Sequence, residues 1–128
     1  MLRLIRLLGL VVPLAFASGV HAQAQRNFPA TALRGALVVV DPPMVTLNGQ
    51  PARLAPGARI RDGRNLQQLS GSLVGARLLV HYTLDPLGLI QDVWVLTPAE
   101  AANTPWPTTP REAAAWSFDP IAQAWSKP

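Results

Sequence analysis

The stretch Arg77-Leu78-Leu79-Val80-His81-Tyr82-Thr83-Leu84 decides the fold class. Leu78, Val80, Tyr82 and Leu84 fall on one side of an extended chain, and Arg77, Leu79, His81 and Thr83 on the other. That period of two is the pattern of a half-buried β-strand. Asp85-Pro86-Leu87-Gly88 follows with turn composition, Asp taking the first turn position ahead of Pro. Residues 89–96 then return as a second strand. Here Val93 and Val95 alternate with Asp92, Trp94 and Leu96, so both faces are apolar and both need cover.

Working back along the chain, residues 33–40 read as a strand ended by Asp41-Pro42-Pro43, and Val45-Thr46-Leu47 restarts one. Asn48-Gly49 comes next, a pair that tolerates the positive φ of a type I′ hairpin turn. The partner strand is 50–54, where Pro51 cannot donate to a ladder and so favours an edge. Ala55-Pro56-Gly57 reads as a turn, 58–61 as a short strand and Asp62-Gly63-Arg64-Asn65 as a further turn. Leu66, Leu69 and Leu73 have helical spacing, but Ser70, Gly71 and Gly75 oppose a stable helix, so 66–74 is expected to be one helical turn and a loop. Five to six short strands separated by Gly/Pro turns predict a mainly β fold, a small antiparallel OB-like barrel. Closure limits the exposed edges of so small a sheet. An open sandwich is the alternative.

The N-terminus predicts export. Arg3 and Arg6 precede an uncharged Leu/Val/Ala run at 7–17, and Val20-His21-Ala22 supplies the small-residue cleavage pattern. Cleavage is expected after Ala22, with Ala24 as second choice. The apolar run is too short for a spanning helix, which needs about 20 residues, and there is no cysteine to carry a lipid. The expected organisation is a signal peptide at 1–22, a polar leader at 23–31, the barrel at 32–97 and a Pro/Trp-rich tail at 98–128. Processing removes two arginines and lowers the formal net charge from +4 to +2. The absence of cysteine excludes a disulfide framework and thiol chemistry. The expected compartment is the periplasm.

The order Gly35-Ala36-Leu37-Val38-Val39-Val40, Val45-Thr46-Leu47-Asn48-Gly49-Gln50, Leu54-Ala55-Pro56-Gly57-Ala58-Arg59-Ile60-Arg61, Leu73-Val74-Gly75, Val80 and Gly88-Leu89-Ile90 resembles the small OB-like barrel domains of uncharacterised exported proteins of Gram-negative bacteria. The resemblance spans residues 32–97. It implies a barrel and brings no catalytic residues with it.

Candidate chemistry is sparse. With His21 removed, His81 is the remaining histidine, and without cysteines it makes no metal set of the usual kind. A solvent-facing or hydrogen-bonded strand histidine is the expected role. Asp85 and Asp92 flank one turn, where capping by Asp85 is favoured over a carboxylate pair. Ser70 and Ser72 lack the G-x-S-x-G spacing of a nucleophile elbow, and no phosphate-binding glycine loop occurs. No catalytic, cofactor or metal site is therefore expected, and the chain is read as a non-enzyme.

Arg53, Arg59, Arg61, Arg64 and Arg77 concentrate in one quarter of the chain, opposed only by Asp62. They form the candidate anion-binding patch, since guanidinium pairs bidentately with phosphate and carboxylate. Lipopolysaccharide or another envelope polyanion suits the compartment. Nucleic acid is disfavoured because no aromatic stacking platform lies between Arg53 and Arg77. The alternative function is a structural, self-associating envelope protein without a ligand.

Trp106, Trp116 and Trp125 mark the tail. They serve either to dock an envelope partner or to complete the core, and core completion is the favoured reading. Thr97-Pro98-Ala99-Glu100 and Thr109-Pro110-Arg111-Glu112 each place Thr at a cap, Pro at the first helical position and Glu at the third, predicting a short helix after each.

Overall fold

The computed structural model describes residues 25–128, together with Gly9. The signal-peptide reading lies outside the described residues. The strands are β1 (Leu33–Asp41), β2 (Met44–Leu47), β3 (Gln50–Arg61), β4 (Gln67–Gln68), β5 (Arg77–Leu84), β6 (Ile90–Val95), β7 (Ser117–Asp119) and β8 (Ala124–Ser126). Two short helices, α1 (Pro98–Ala101) and α2 (Pro110–Ala115), lie in the tail, and Ser70–Leu73 forms a 3-10 turn.

The expected small barrel is present. The sheet order is β2-β1-β5-β6-β3-β4, and a β2–β3 ladder closes β1, β2, β3, β6 and β5 into a ring. All of its ladders are antiparallel except the β3–β6 seam, which is parallel. Asn48 and Gly49 both have positive φ, as the β2–β3 turn requires. Ladder pairing to β6 starts only at Leu54, so Pro51 sits where β3 is bonded on the β2 side alone.

The alternation read in residues 77–84 sends Leu78, Val80 and Tyr82 into the barrel, packed with Leu33, Leu37, Val39, Val45, Ile60, Ile90 and Val93. Leu84, on the same face, lies at the strand end and stays exposed. Gly35 is the narrow point of this interior. A Cβ there would lie 2.9 Å from Leu47 Cδ1 and 3.1 Å from Tyr82 Cε1.

Three expectations are corrected. Ala55-Pro56-Gly57 does not end a strand; it is an irregularity within continuous β3, made possible by the positive φ of Gly57. Residues 66–74 do contain one helical turn, the 3-10 turn at Ser70–Leu73, but the two-residue strand β4 comes before it where no strand was expected. The tail also contains strands: β7 and β8 form a hairpin whose turn is held by Asp119 Oδ1, which accepts from the Ile121 and Ala122 N–H groups.

The tail folds back over the barrel. Trp106 and Trp125 are buried with Phe28 and Ala32, and Trp94, Leu96, Ala113, Trp116 and Phe118 pack around them. Strand β6 is thus covered on both faces, as its sequence demanded. The described part of the polar leader read at 23–31 contributes Phe28 to this second core and Arg26 to its border.

Candidate functional site

Cross-strand register sets a row of side chains across the outside of the barrel. Arg34 of β1 faces His81 of β5, His81 faces Trp94 of β6, and Trp94 faces Arg61 of β3. The outer positions of β5 and β6 would meet water on a bare barrel. Here the tail and the 25–28 strap cover His81 and, in part, Trp94, while Arg77 and Leu79 at the start of β5 stay exposed.

His81 is 1% exposed. Its ring stacks on Trp106 with centroids 4.1 Å apart, and Phe28 meets it edge-on at 4.5 Å. Arg34 Nε donates to His81 Nε2 at 3.2 Å, and Arg34 Nη2 lies 3.1 Å from the same atom. A guanidinium has no acceptor to offer, so Nε2 is the lone-pair nitrogen and the ring proton resides on Nδ1. Burial, then the charges of Arg34 and Arg26, push the imidazole pKa down to about 3. The expected solvent-facing or hydrogen-bonded histidine is thus the bonded one, and it is neutral and enclosed.

Two arginines outside the expected patch organise the junction. Arg34 also donates to the Glu100 and Ala101 carbonyls at the end of α1, and its guanidinium lies 5.6 Å from the Trp106 ring centre. Arg26 grips both carboxylate oxygens of Glu100 and donates to the Asp62 and Val95 carbonyls, each at 2.8 Å. Glu100 closes the capping box with Thr97 as the sequence predicted. Burial raises its pKa, but hydrogen bonds from Arg26 and the Thr97 N–H, with the Arg26 charge, outweigh that and hold the carboxyl below its usual range. Gln123 completes the clamp by accepting from the Phe28 N–H and donating to the Phe28 carbonyl.

Between these groups lies a cavity of about 340 Å³, walled by Gln25, Arg26, Phe28, His81, Glu100 and Asn103 among others. Among the described residues, His81 Nδ1 and Trp125 Nε1 are the buried polar side-chain atoms with no hydrogen-bond partner. A second groove, near Pro42-Pro43 and Leu69, carries no charged lining residue.

The five patch arginines lie on β3, in the turn after it and on β5. Arg59 and Arg61 share one face of β3, and Arg64 follows in the next turn. Arg53 lies beyond the Gly57 irregularity, opposite Met44, and Arg77 lies on β5 opposite Val38. All but the half-buried Arg61 are exposed. Asp92 stands opposite Arg59 in register but engages Thr83. Asp85 caps its turn as expected, accepting from the Leu87 and Leu89 N–H groups. Of the three tail tryptophans, Trp106 and Trp125 are buried and Trp116 is half-buried beside Lys127.

The Arg26–Arg34–Glu100 junction could not be found by local pattern, because each partner is 36 to 74 residues away in sequence. The capping-box Glu100 was the one signal available. No known protein family, no curated protein and no solved structure matches this chain.

Proposed function

We propose that the protein is an exported binding or accessory module of the cell envelope, not an enzyme, that recognises polyanions such as lipopolysaccharide phosphates with the arginines of β3. The observation that supports this is a contrast between its arginines. Arg26 and Arg34 are spent on carbonyls, a carboxylate and an imidazole inside the fold. Arg53, Arg59, Arg61, Arg64 and Arg77 take part in no ion pair among the described residues, where Arg26–Glu100 is the sole one. OB-type barrels bind extended ligands across the strand 2–3 face, and planar guanidinium groups suit phosphate. The tail covers Arg34 and His81 on β1 and β5, whereas Arg53 and Arg59 of β3 are exposed and Arg61 is half-buried.

Export is inferred from the N-terminal charge, apolar run and small-residue site, and from the resemblance to exported barrel domains. The non-enzymatic reading rests on His81, whose Nε2 is committed to Arg34 and whose ring is packed between Trp106 and Phe28. It is not placed to exchange protons with a substrate.

The test is co-sedimentation of the full chain with lipid A vesicles and with neutral phosphatidylcholine vesicles. Binding to lipid A alone, weakening steadily between about 50 and 200 mM salt, is expected from counterion release. Arg59→Gln/Arg61→Gln should weaken it further, while Arg111→Gln in the tail should not. Equal binding to both vesicles, or no effect of the β3 pair, overturns the proposal. Self-association without any vesicle binding would favour the structural alternative.

A further inference from the structure

We propose that the cavity between the 25–28 strap, the α1 segment and His81 is a binding site for one neutral polyhydroxylated ring, a single sugar unit. The inference is independent of the polyanion reading, which concerns another face and another chemistry.

Charge comes first. The cavity wall carries one cation and one anion, Arg26 and Glu100, and these are paired with each other. An anionic ligand would find no unpaired cation there, because the Arg26 charge is held by Glu100 and four of its five N–H donors serve Glu100 and the Asp62 and Val95 carbonyls. A cationic ligand would have to take Glu100 from Arg26 and from the Thr97 N–H. The site therefore selects for a neutral guest.

The remaining polar capacity then defines that guest. His81 is part of the wall, and its Nδ1–H, buried behind the cavity surface, has no acceptor among the described residues. Thr97 Oγ1 accepts from the Glu100 N–H, which leaves its own proton to donate. Asn103 donates to the Gln123 carbonyl, which leaves its side-chain oxygen as an acceptor. Gln25 adds a carboxamide that can do both. Donors and acceptors are thus both present on the wall of one small space, which suits hydroxyl groups, since each hydroxyl both gives and accepts. The Phe28 ring and the Ala99 methyl supply apolar wall for the C–H faces of a ring. At about 340 Å³ the cavity is near the lower end of ligand pockets, about 300–1,000 Å³, with room for one ring and not for a chain.

Ala99 provides a clean probe. It is solvent-exposed, lines the cavity, and its side chain takes no part in the Arg26–Glu100–Thr97 network. The experiment is a titration of the full chain, followed by amide and imidazole NMR, with glucose and N-acetylglucosamine up to about 10 mM. Inorganic phosphate and methylammonium serve as charged controls. Saturable shifts at His81 and Asn103 with a sugar, not with either control, are expected. Ala99→Phe should weaken that binding at least about tenfold, while Ala99→Ser should retain it. Melting curves of both variants confirm that the fold is kept. If Ala99→Phe fails to fold, Asn103→Asp replaces it and should change which sugar hydroxyl pattern is preferred. The proposal is overturned if neither sugar shifts His81, if phosphate or methylammonium does so equally, if Ala99→Phe binds like the parent, or if a trapped water is the sole partner detected at Nδ1.

Discussion

Arg34 and His81 stand opposite each other on β1 and β5, and the guanidinium converges on a single imidazole nitrogen, Nε2, at 3.2 and 3.1 Å. Burial first, and then a permanent cation against that nitrogen, oppose its protonation. Together with the Trp106 stack, this fixes the ring, its tautomer and its charge in one arrangement. The same Arg34 carries its other donors to the α1 carbonyls, so one side chain couples the barrel wall to the tail.

The first prediction is a loss of stability on acidification traceable to His81. Its folded pKa of about 3 lies below the ordinary value of 6.5. Between those values the unfolded chain binds a proton that the folded chain refuses, so stability is complete above about 6.5 and falls as pH drops toward 3. By pH 5 the loss should be about 2 kcal/mol relative to pH 7. Glu100, with its lowered carboxyl pKa, loses stability in the same direction but at lower pH, below the ordinary carboxylate range. Melting temperatures measured from pH 7.5 to 4.5 should fall, and His81→Gln should flatten the upper part of that fall. An imidazole resonance of His81 that titrates near pH 6.5 in the folded protein would contradict the arrangement.

The second concerns Arg26 and Glu100, whose side chains are 11% and 13% exposed. Removing one member of a largely buried pair strands the other, at a cost of roughly 3–5 kcal/mol. Glu100→Met also loses its half of the Thr97 capping box. Arg26→Met/Glu100→Met should recover much of the loss, because no charge is left without a partner. Urea unfolding of the two single variants and the double variant forms the cycle. Additive effects would mean that the pair contributes little beyond separate contacts.

A third prediction uses Gly35. An alanine methyl there enters a space bounded by Leu47, Asn48 and Tyr82 at 2.9, 3.1 and 3.1 Å. Gly35→Ala should destabilise by about 1–3 kcal/mol through overpacking. Gly71→Ala, where nothing lies within 4 Å and φ is not positive, should stay within about 0.5 kcal/mol. Equal melting temperatures for the two variants would show that the barrel interior has slack at Tyr82.

How far the sequence foretold this structure depends on the range over which each cause acts. The strand at 77–84, the Asn48-Gly49 turn and the two Thr-Pro-x-Glu caps are local effects, and each formed where expected. Trp94 and Leu96 announced a second covering layer because a strand cannot leave both faces apolar in water. What was not legible was set at long range or spread over too few residues. Arg34 looks like an ordinary outward strand residue until Pro107 and α1 arrive against it. Arg26 looks like part of a polar leader because its partners at Asp62, Val95 and Glu100 are distant in sequence. Strands β7 and β8 have three residues each, too few to display alternation. Ala55-Pro56-Gly57 has turn composition, yet flanking ladders to β2, β4 and β6 carry the strand through it.

The last prediction asks whether the tail is part of the fold or an appendage. Truncation after Leu96 would remove α1, α2, the β7–β8 hairpin and the Trp106, Trp116 and Trp125 side chains. It would remove the tail part of the cluster over Trp94 and the stacked face of His81, strip Arg34 of its Glu100 and Ala101 carbonyls, and leave Arg26 without its carboxylate. Replacing a single buried large aromatic such as Trp106 by alanine costs about 3–5 kcal/mol. A domain of this size has only about 5–15 kcal/mol in total. The truncated barrel should therefore fail to fold or aggregate, and Trp106→Ala alone should lower the melting temperature markedly. Trp116→Ala, at a half-buried position with Lys127 over its ring at 5.2 Å, should have a much smaller effect. The measurement is thermal unfolding of the three variants beside the parent chain. A truncated protein that stays monomeric and melts with the parent would mean that the barrel is self-sufficient and the tail is free to serve a partner.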